Sequence, residues 1–169
     1  MLKLVTRHWG TLAVDDERLI TLTEAILGFP QQRHFVLLPA GGGSPFLYLQ
    51  SADIPTLAFA ALDPLVLVPD YEVPPDEGAR WGPPDDWAVL VLCTITPTER
   101  SANLRSPLVI NRRTREGGQI VLSLPYPFHH PLSPPTTESP AESGNANNME
   151  RGVGRAGADT QTRGGFGDR

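Results

Sequence analysis

The stretch "SPFLYLQSADIPTLAFAALDPLVLVPDYEV", residues 44–73, decides the fold class. Three apolar runs, FLYLQS (46–51), TLAFAAL (56–62) and LVLV (65–68), are separated by Pro, Asp and Ser. Runs this short, bounded by turn formers, read as strands and not helices. In YLQS, strand alternation sets Tyr48 and Gln50 on one face and Leu47, Leu49 and Ser51 on the other, which predicts core duty for the leucines and leaves Gln50 as a candidate binding residue. Asp63 before Pro64 predicts a turn, because a residue preceding proline is pushed out of the helical region and Asp bonds its own turn. Pro69 has no N–H to give a central ladder, so LVLV is expected at a sheet edge. That edge ends in Asp70, Tyr71 and Glu72. Two readings stand open for the trio: charges that guard an edge from aggregation, or the lip of a partner surface with Tyr71 as its anchor.

Working outward, further strands are expected at LKLVTR (2–7), TLAV (11–14), RLITL (18–22), HFVLL (34–38), WAVLVLCTIT (87–96), PLVIN (107–111) and QIVLSL (119–124). The 18 prolines fragment any long helix. One helical turn is expected around TEAILG, with Thr23 as cap and Gly28 as terminator. VPPDEGARWGPPDD (73–86) reads as a Pro-rich loop, and RRTREGGQ (112–119) as a hairpin tip whose Gly117 and Gly118 supply positive φ. Many short strands at close spacing predict an all-β fold: a small antiparallel β-barrel-like single domain with little helix.

The composition changes after Leu132. Residues 1–132 carry 14 acids against 10 Lys and Arg, hence about -4 of the chain's -5, and contain the aliphatic runs. Residues 133–169 are rich in Pro, Gly, Ser and Asn and bury too little apolar surface to offset chain entropy, which predicts a disordered tail. The first 132 residues suit one domain that buries roughly two-thirds of its unfolded surface. Cys93 is the only cysteine, so no intrachain disulfide forms and a buried thiol is expected. MLKLVTRHWG lacks the apolar region of a secretion signal, and no apolar run reaches the ~20 residues that span a bilayer. A cytoplasmic protein is the expectation.

Four patterns invite a chemical reading, and each lacks a partner. AGGGSPF (40–46) has no Gly-Lys-Ser/Thr ending and no following helix, so it is a hairpin and not a phosphate loop. His129 and His130 are adjacent and would face opposite sides of a strand, with no third ligand nearby in sequence. Asp70 and Glu72 would share a face of an extended segment, yet no nucleophile or aromatic sugar platform accompanies them. Arg112, Arg113 and Arg115 could meet phosphates, which keeps a nucleic-acid-binding barrel as the alternative, although the chain is acidic and has no basic stripe. No cofactor, metal or catalytic residue is expected. Asn103 and Asn111 bracket LRSPLVI and fit either turn capping or partner contact.

Taken in order, LITLTEAILGF, FVLL, SPFLYLQSADIPTLAFAALDP, PDYEV, VLCTIT, SANLRSPLVINRRTREGGQIVL and YPFHHPL resemble the bacterial flagellar assembly factor FliW family, over residues 3 to 132. The resemblance implies a non-enzymatic, chaperone-like cytoplasmic protein with two partners: CsrA, a small RNA-binding translational repressor, and flagellin. Their binding would be mutually exclusive, so that flagellin export frees the factor to capture CsrA. An acidic chain suits a basic RNA-binding partner and repels RNA. The expected partner-binding residues are Tyr48, Gln50, Asp70, Tyr71, Glu72, Asn103 and Asn111. Two departures stand out: PPDEGARWGPPDD replaces a longer acidic helical segment, and Tyr48 stands where the family usually has tryptophan.

Overall fold

Leu49 sits where the expected alternation put it. In the computed structural model, which describes residues 1–132, it is fully buried on strand β5 (Leu47–Ser51), at the centre of a barrel. Five strands succeed one another antiparallel around that barrel: β3 (Ile20–Glu24), β4 (His34–Pro39), β5, β6 (Ala58–Leu62) and β7 (Trp87–Ile95). The first half of β7 pairs with β9 (Leu108–Asn111), and β9 pairs with β10 (Glu116–Gln119). β10 then runs parallel to β3 and closes a seven-stranded ring. Closure leaves these strands without a continuous free edge, which is one way an all-β chain avoids edge-to-edge aggregation. The disordered tail expected over 133–169 lies outside the described residues.

The interior is filled by Ile20, Leu22, Phe35, Leu49, Leu90, Leu108 and Ile110, with Phe59 and Leu92 packed against them. The outer face of the wall is covered twice. A hairpin of β1 (Leu2–Thr6) and β2 (Gly10–Val14) buries Leu4 and Val14 against Val36 and Leu38 of β4. On the other side, the segment after β6 and the chain around Leu122 and Tyr126 cover Val91. The second half of β7 leaves the barrel to pair with β8 (Arg100–Ala102), which carries the short β11 (His130–Pro131).

Four expectations are corrected. LVLV is not an edge strand: Pro64–Val66 is a 3-10 turn, continued by Leu67 and Val68 N–H groups that both bond the Pro64 carbonyl. Two prolines with only four residues between them favour local turn bonds over a ladder. TEAILG is not helical, since Thr23 belongs to β3 and a turn follows, closed by Phe29 N–H on the Ile26 carbonyl with Gly28 at φ +92°. In the tip of the β9–β10 hairpin the positive φ falls on Arg115 (+64°), while Gly117 and Gly118 are strand residues. They are glycine because of crowding: a Cβ on Gly117 would overlap the Val109 carbonyl oxygen, and one on Gly118 would come 2.6 Å from the Trp81 ring. QIVLSL stops being a strand at Gln119, and Ile120 and Leu122 pack on the outer cluster instead. Among the described residues no α-helix occurs, only four 3-10 turns.

Candidate partner-binding surface

The segment Asp63–Val73 crosses the outer face of β7 as a strap. It begins with a cap: the Asp63 carboxylate accepts the Leu65 N–H at 2.9 Å, with Pro64 at the first position of the turn. Toward its far end it is anchored by Tyr71. That side chain is 8 % exposed, its hydroxyl donates to the Leu104 carbonyl at 2.6 Å, and its ring lies 4.5 Å from that of Tyr126. Burial pushes the Tyr71 phenol well above the ordinary tyrosine range, and Tyr126 adds to the shift. The Tyr126 hydroxyl in turn accepts the Glu72 N–H.

Tyr71 is therefore not the exposed tip of a lip; it is the peg beneath one. Because it turns inward, its neighbours turn outward, and Asp70 and Glu72 are both exposed. Asp76 is exposed a few residues on, and none of the three carboxylates enters an ion pair among the described residues. Glu77, by contrast, is held by the Ser123 hydroxyl and N–H. The outcome is two exposed, unpaired carboxylates on a segment fixed by a buried peg, followed by a third just past its end.

The other expected residues are dispersed. Gln50 is fully buried, and its Nε2 points at the carbonyls of Ser51, Ile54, Pro55 and Leu57 at 3.1–3.4 Å, so it ties down the β5–β6 turn. Tyr48 is half-buried, edge-on to Trp9 with centroids 5.2 Å apart, and joins the β1–β2 hairpin to the wall. Asn111 is buried: its Oδ1 accepts the N–H groups of Arg113 and Thr114, and its Nδ2 donates to the Trp81 carbonyl at 2.7 Å. Asn103 caps in the same manner, accepting from Arg105 and Ser106 N–H. The capping alternative for the two asparagines is thus realised in the fold. The structure brings together Asp70, Tyr71 and Glu72 and leaves Tyr48, Gln50, Asn103 and Asn111 elsewhere.

The arginine tip is partly neutralised. Arg113 lies 3.6 Å from the Asp86 carboxylate, Arg112 donates to the Asp85 carbonyl, and Arg115 donates to the Arg18 carbonyl. His129 meets Glu99 at 2.9 Å, and hydrogen bonds from Ser101 and His129 hold that carboxyl below its usual range. Among the described residues no group of three or more His, Cys, Asp and Glu side chains converges. Cys93 is half-buried, and burial pushes its thiol up to about 11.

Sequence reasoning missed Asp76, and it missed a cleft of about 170 Å³ between the strap and β7, walled by Asp63, Leu65, Trp87 and Arg112. The local pattern of Asp76 gave no signal beyond its charge. The exposure of Leu65 (52 %) and Val66 (57 %) could have been found by asking which LVLV side chains a two-proline turn cannot bury.

Comparison with known proteins converges on one group. The family described as FliW protein matches residues 3–132. A flagellar assembly factor FliW of Heliobacterium modesticaldum is 35 % identical over 147 residues, covering 83 % of this chain and 96 % of the relative. The protein of the same name from Magnetococcus marinus is 36 % identical, covering 78 % and 85 %. A crystal structure of the flagellar assembly factor FliW superposes with a TM-score of 0.69 at 30 % identity, covering 80 % of this chain and 99 % of that one. With the match spanning the whole barrel, both outer covers and the strap, the chain belongs to the FliW family.

Proposed function

We propose that this chain is a non-enzymatic, cytoplasmic flagellar assembly factor that uses its acidic strap to bind the translational repressor CsrA. Flagellin binding excludes CsrA, so flagellin export frees the factor to capture the repressor and release flagellin message. Family membership supports the role in flagellar assembly, and the two partners are what the resemblance implies. The observation that carries the surface is the pair Asp70 and Glu72, exposed and unpaired on a strap pegged by Tyr71, with Asp76 exposed just beyond its end. An RNA-binding repressor presents basic surface, and unpaired exposed acids steer it while repelling RNA. A rigid support matters because charges held in place bind without a further ordering cost.

The test is Asp70→Lys together with Glu72→Lys, measured for CsrA association at two ionic strengths. Exposed attraction alone is worth about 0.2–1 kcal/mol, but like charges placed opposite each other cost several and act mainly on the on-rate. CsrA binding should weaken about tenfold or more, most at low salt. Its melting temperature should stay unchanged, because neither side chain is buried. Flagellin added to the unaltered complex should release CsrA. A folded double-lysine protein that binds CsrA at unchanged rates places the interface elsewhere. CsrA and flagellin held together on one copy would end the exclusive switch.

A further inference from the structure

We propose that the mouth of the barrel between β6 and β7 binds an extended, uncharged segment of a partner protein, with one bulky apolar side chain as its anchor. This surface is separate from the acidic strap and does not depend on that reading. The geometry begins with a ladder that stops early. β6 and β7 pair at Leu62–Val91, Ala61–Leu92 and Ala60–Cys93, and the next positions in register, Phe59 with Thr94 and Ala58 with Ile95, do not pair. Both strands continue, but each goes to its other neighbour: Phe59 and Ala58 to Leu49 and Gln50 of β5, Thr94 and Ile95 to Ser101 and Arg100 of β8.

Alternation tells which groups face the opening. Ser51 N–H bonds the Leu57 carbonyl, so the odd residues of β6 bond β5 and Ala58 points its N–H and C=O toward β7. Asn103 N–H bonds the Leu92 carbonyl, so the even residues of β7 bond β8 and Ile95 points its groups toward β6. One rung of a β-ladder is therefore open at the barrel's mouth. Ile95 is 45 % exposed, so the opening reaches solvent.

Next to that rung lies a groove of about 230 Å³. Its apolar lining includes Leu27, Phe29, Phe59 and Leu92, Asn103 and Gln119 supply polar groups, and no charged side chain lines it. Leu27 (63 %) and Phe29 (37 %) stand exposed on the Gly28 turn. The turn is braced, since Gln119 Oε1 accepts the Leu27 N–H at 2.8 Å and the Phe29 ring meets Phe59 edge-on at 5.0 Å. Two large apolar side chains are thus held out to water by a fixed turn beside unpaired strand backbone. Backbone donors and acceptors in strand geometry select an extended peptide, and the pocket beside them selects its side chain. The neutral lining disfavours a charged residue at the anchor, whose burial there would go unpaired.

The experiment titrates the isotope-labelled full chain with the capped peptide acetyl-Thr-Val-Leu-Val-Thr-amide and follows backbone amide shifts. Shifts should concentrate at Ala58, Phe59, Thr94, Ile95 and Leu27. N-methylation of the peptide backbone beside its leucine should weaken binding about tenfold or more, as should Leu27→Glu in the protein, while salt should leave the affinity unchanged. The N-methyl arm needs no protein variant and so stands even where Leu27→Glu disturbs the turn. No shifts up to millimolar peptide, shifts centred elsewhere, or equal binding of the N-methylated peptide would overturn the proposal. Concentration-dependent shifts at the same amides without peptide would overturn it in favour of a second copy.

Discussion

The β5–β6 wall and the Asp63–Val73 strap both carry short apolar runs, yet one became ladder and the other became cover. In the wall, Leu47, Leu49 and Phe59 alternate with outward residues, and β5 and β6 pair in continuous register from Leu47–Ala61 to Gln50–Ala58. In the strap, Leu67 and Val68 are half-buried while Leu65 and Val66 stand exposed, and apart from the Glu72 N–H on the Tyr126 hydroxyl the backbone bonds lie within its own turns. The difference teaches that an apolar run predicts contact with a core, whereas strand pairing also requires free N–H groups and an open edge. Prolines at 64 and 69 removed the first requirement, and closure of the barrel by β10 and β3 removed the second. The wall should then fail by steric disruption and the strap by loss of single anchors.

The largest effect is expected in the wall, at its closing seam. Gly117→Ala sets a Cβ into the Val109 carbonyl and 2.9 Å from the Ile110 Cα, both backbone atoms of the neighbouring strand that cannot turn aside. A loss of about 3 kcal/mol or more is expected, read as a fall in the urea midpoint or as failure to fold. A change under about 1 kcal/mol would show that the β9–β10 pair opens freely and that the barrel is not held shut there.

This seam also marks the limit of what the residues disclose. The β4–β7 strands were legible because their apolar runs are short and bounded by turn formers, and the asparagine caps were legible as one of two uses that Asn beside a turn can have. The β10–β3 pairing was not: Glu-Gly-Gly-Gln has no apolar pattern, and its glycines report crowding by Val109 and Trp81 that exists only after folding. The position of Tyr71 was hidden for the opposite reason. Its flanking acids promised exposure for all three residues, but the segment turns Tyr71 in and only the two acids beside it out. Run length and turn punctuation therefore located the wall and left the acidic face readable only as composition.

A middle-sized effect is expected at the strap's peg. Tyr71→Phe keeps the ring against Tyr126 and removes the hydroxyl from the Leu104 carbonyl, at an expected cost of about 1–2 kcal/mol. The same variant carries a pH signature. The folded phenol holds its proton above the ordinary value of about 10, so its contribution is complete below that pH and is lost as pH rises through the folded range. The stability gap between the natural protein and Tyr71→Phe should thus narrow as pH climbs above about 10. A constant gap would mean that Tyr71 ionises equally in both states and is not buried as described.

The smallest effect belongs to the strap's first bond. Asp63 Oδ1 accepts one N–H, from Leu65, on an exposed turn whose direction Pro64 has already set by fixing its own φ. Removing the acceptor by Asp63→Ala should cost about 0.5–1 kcal/mol, the lower part of the usual range for a lost cap, because water can reach the freed N–H. Asp63→Asn retains an oxygen acceptor and should recover most of that loss, which separates capping from charge. The charge carries a different consequence: Asp63 faces Arg112 across the cleft beside β7, and only the loss of charge, common to both variants, alters that field. Equal destabilisation by Asn and Ala, measured by thermal unfolding at low and high salt, would mean that the Arg112 field and not the hydrogen bond holds the strap's start. In that case the strap is an electrostatic cover from its first residue, and its contrast with the wall sharpens from single anchors against sterics to charge against sterics.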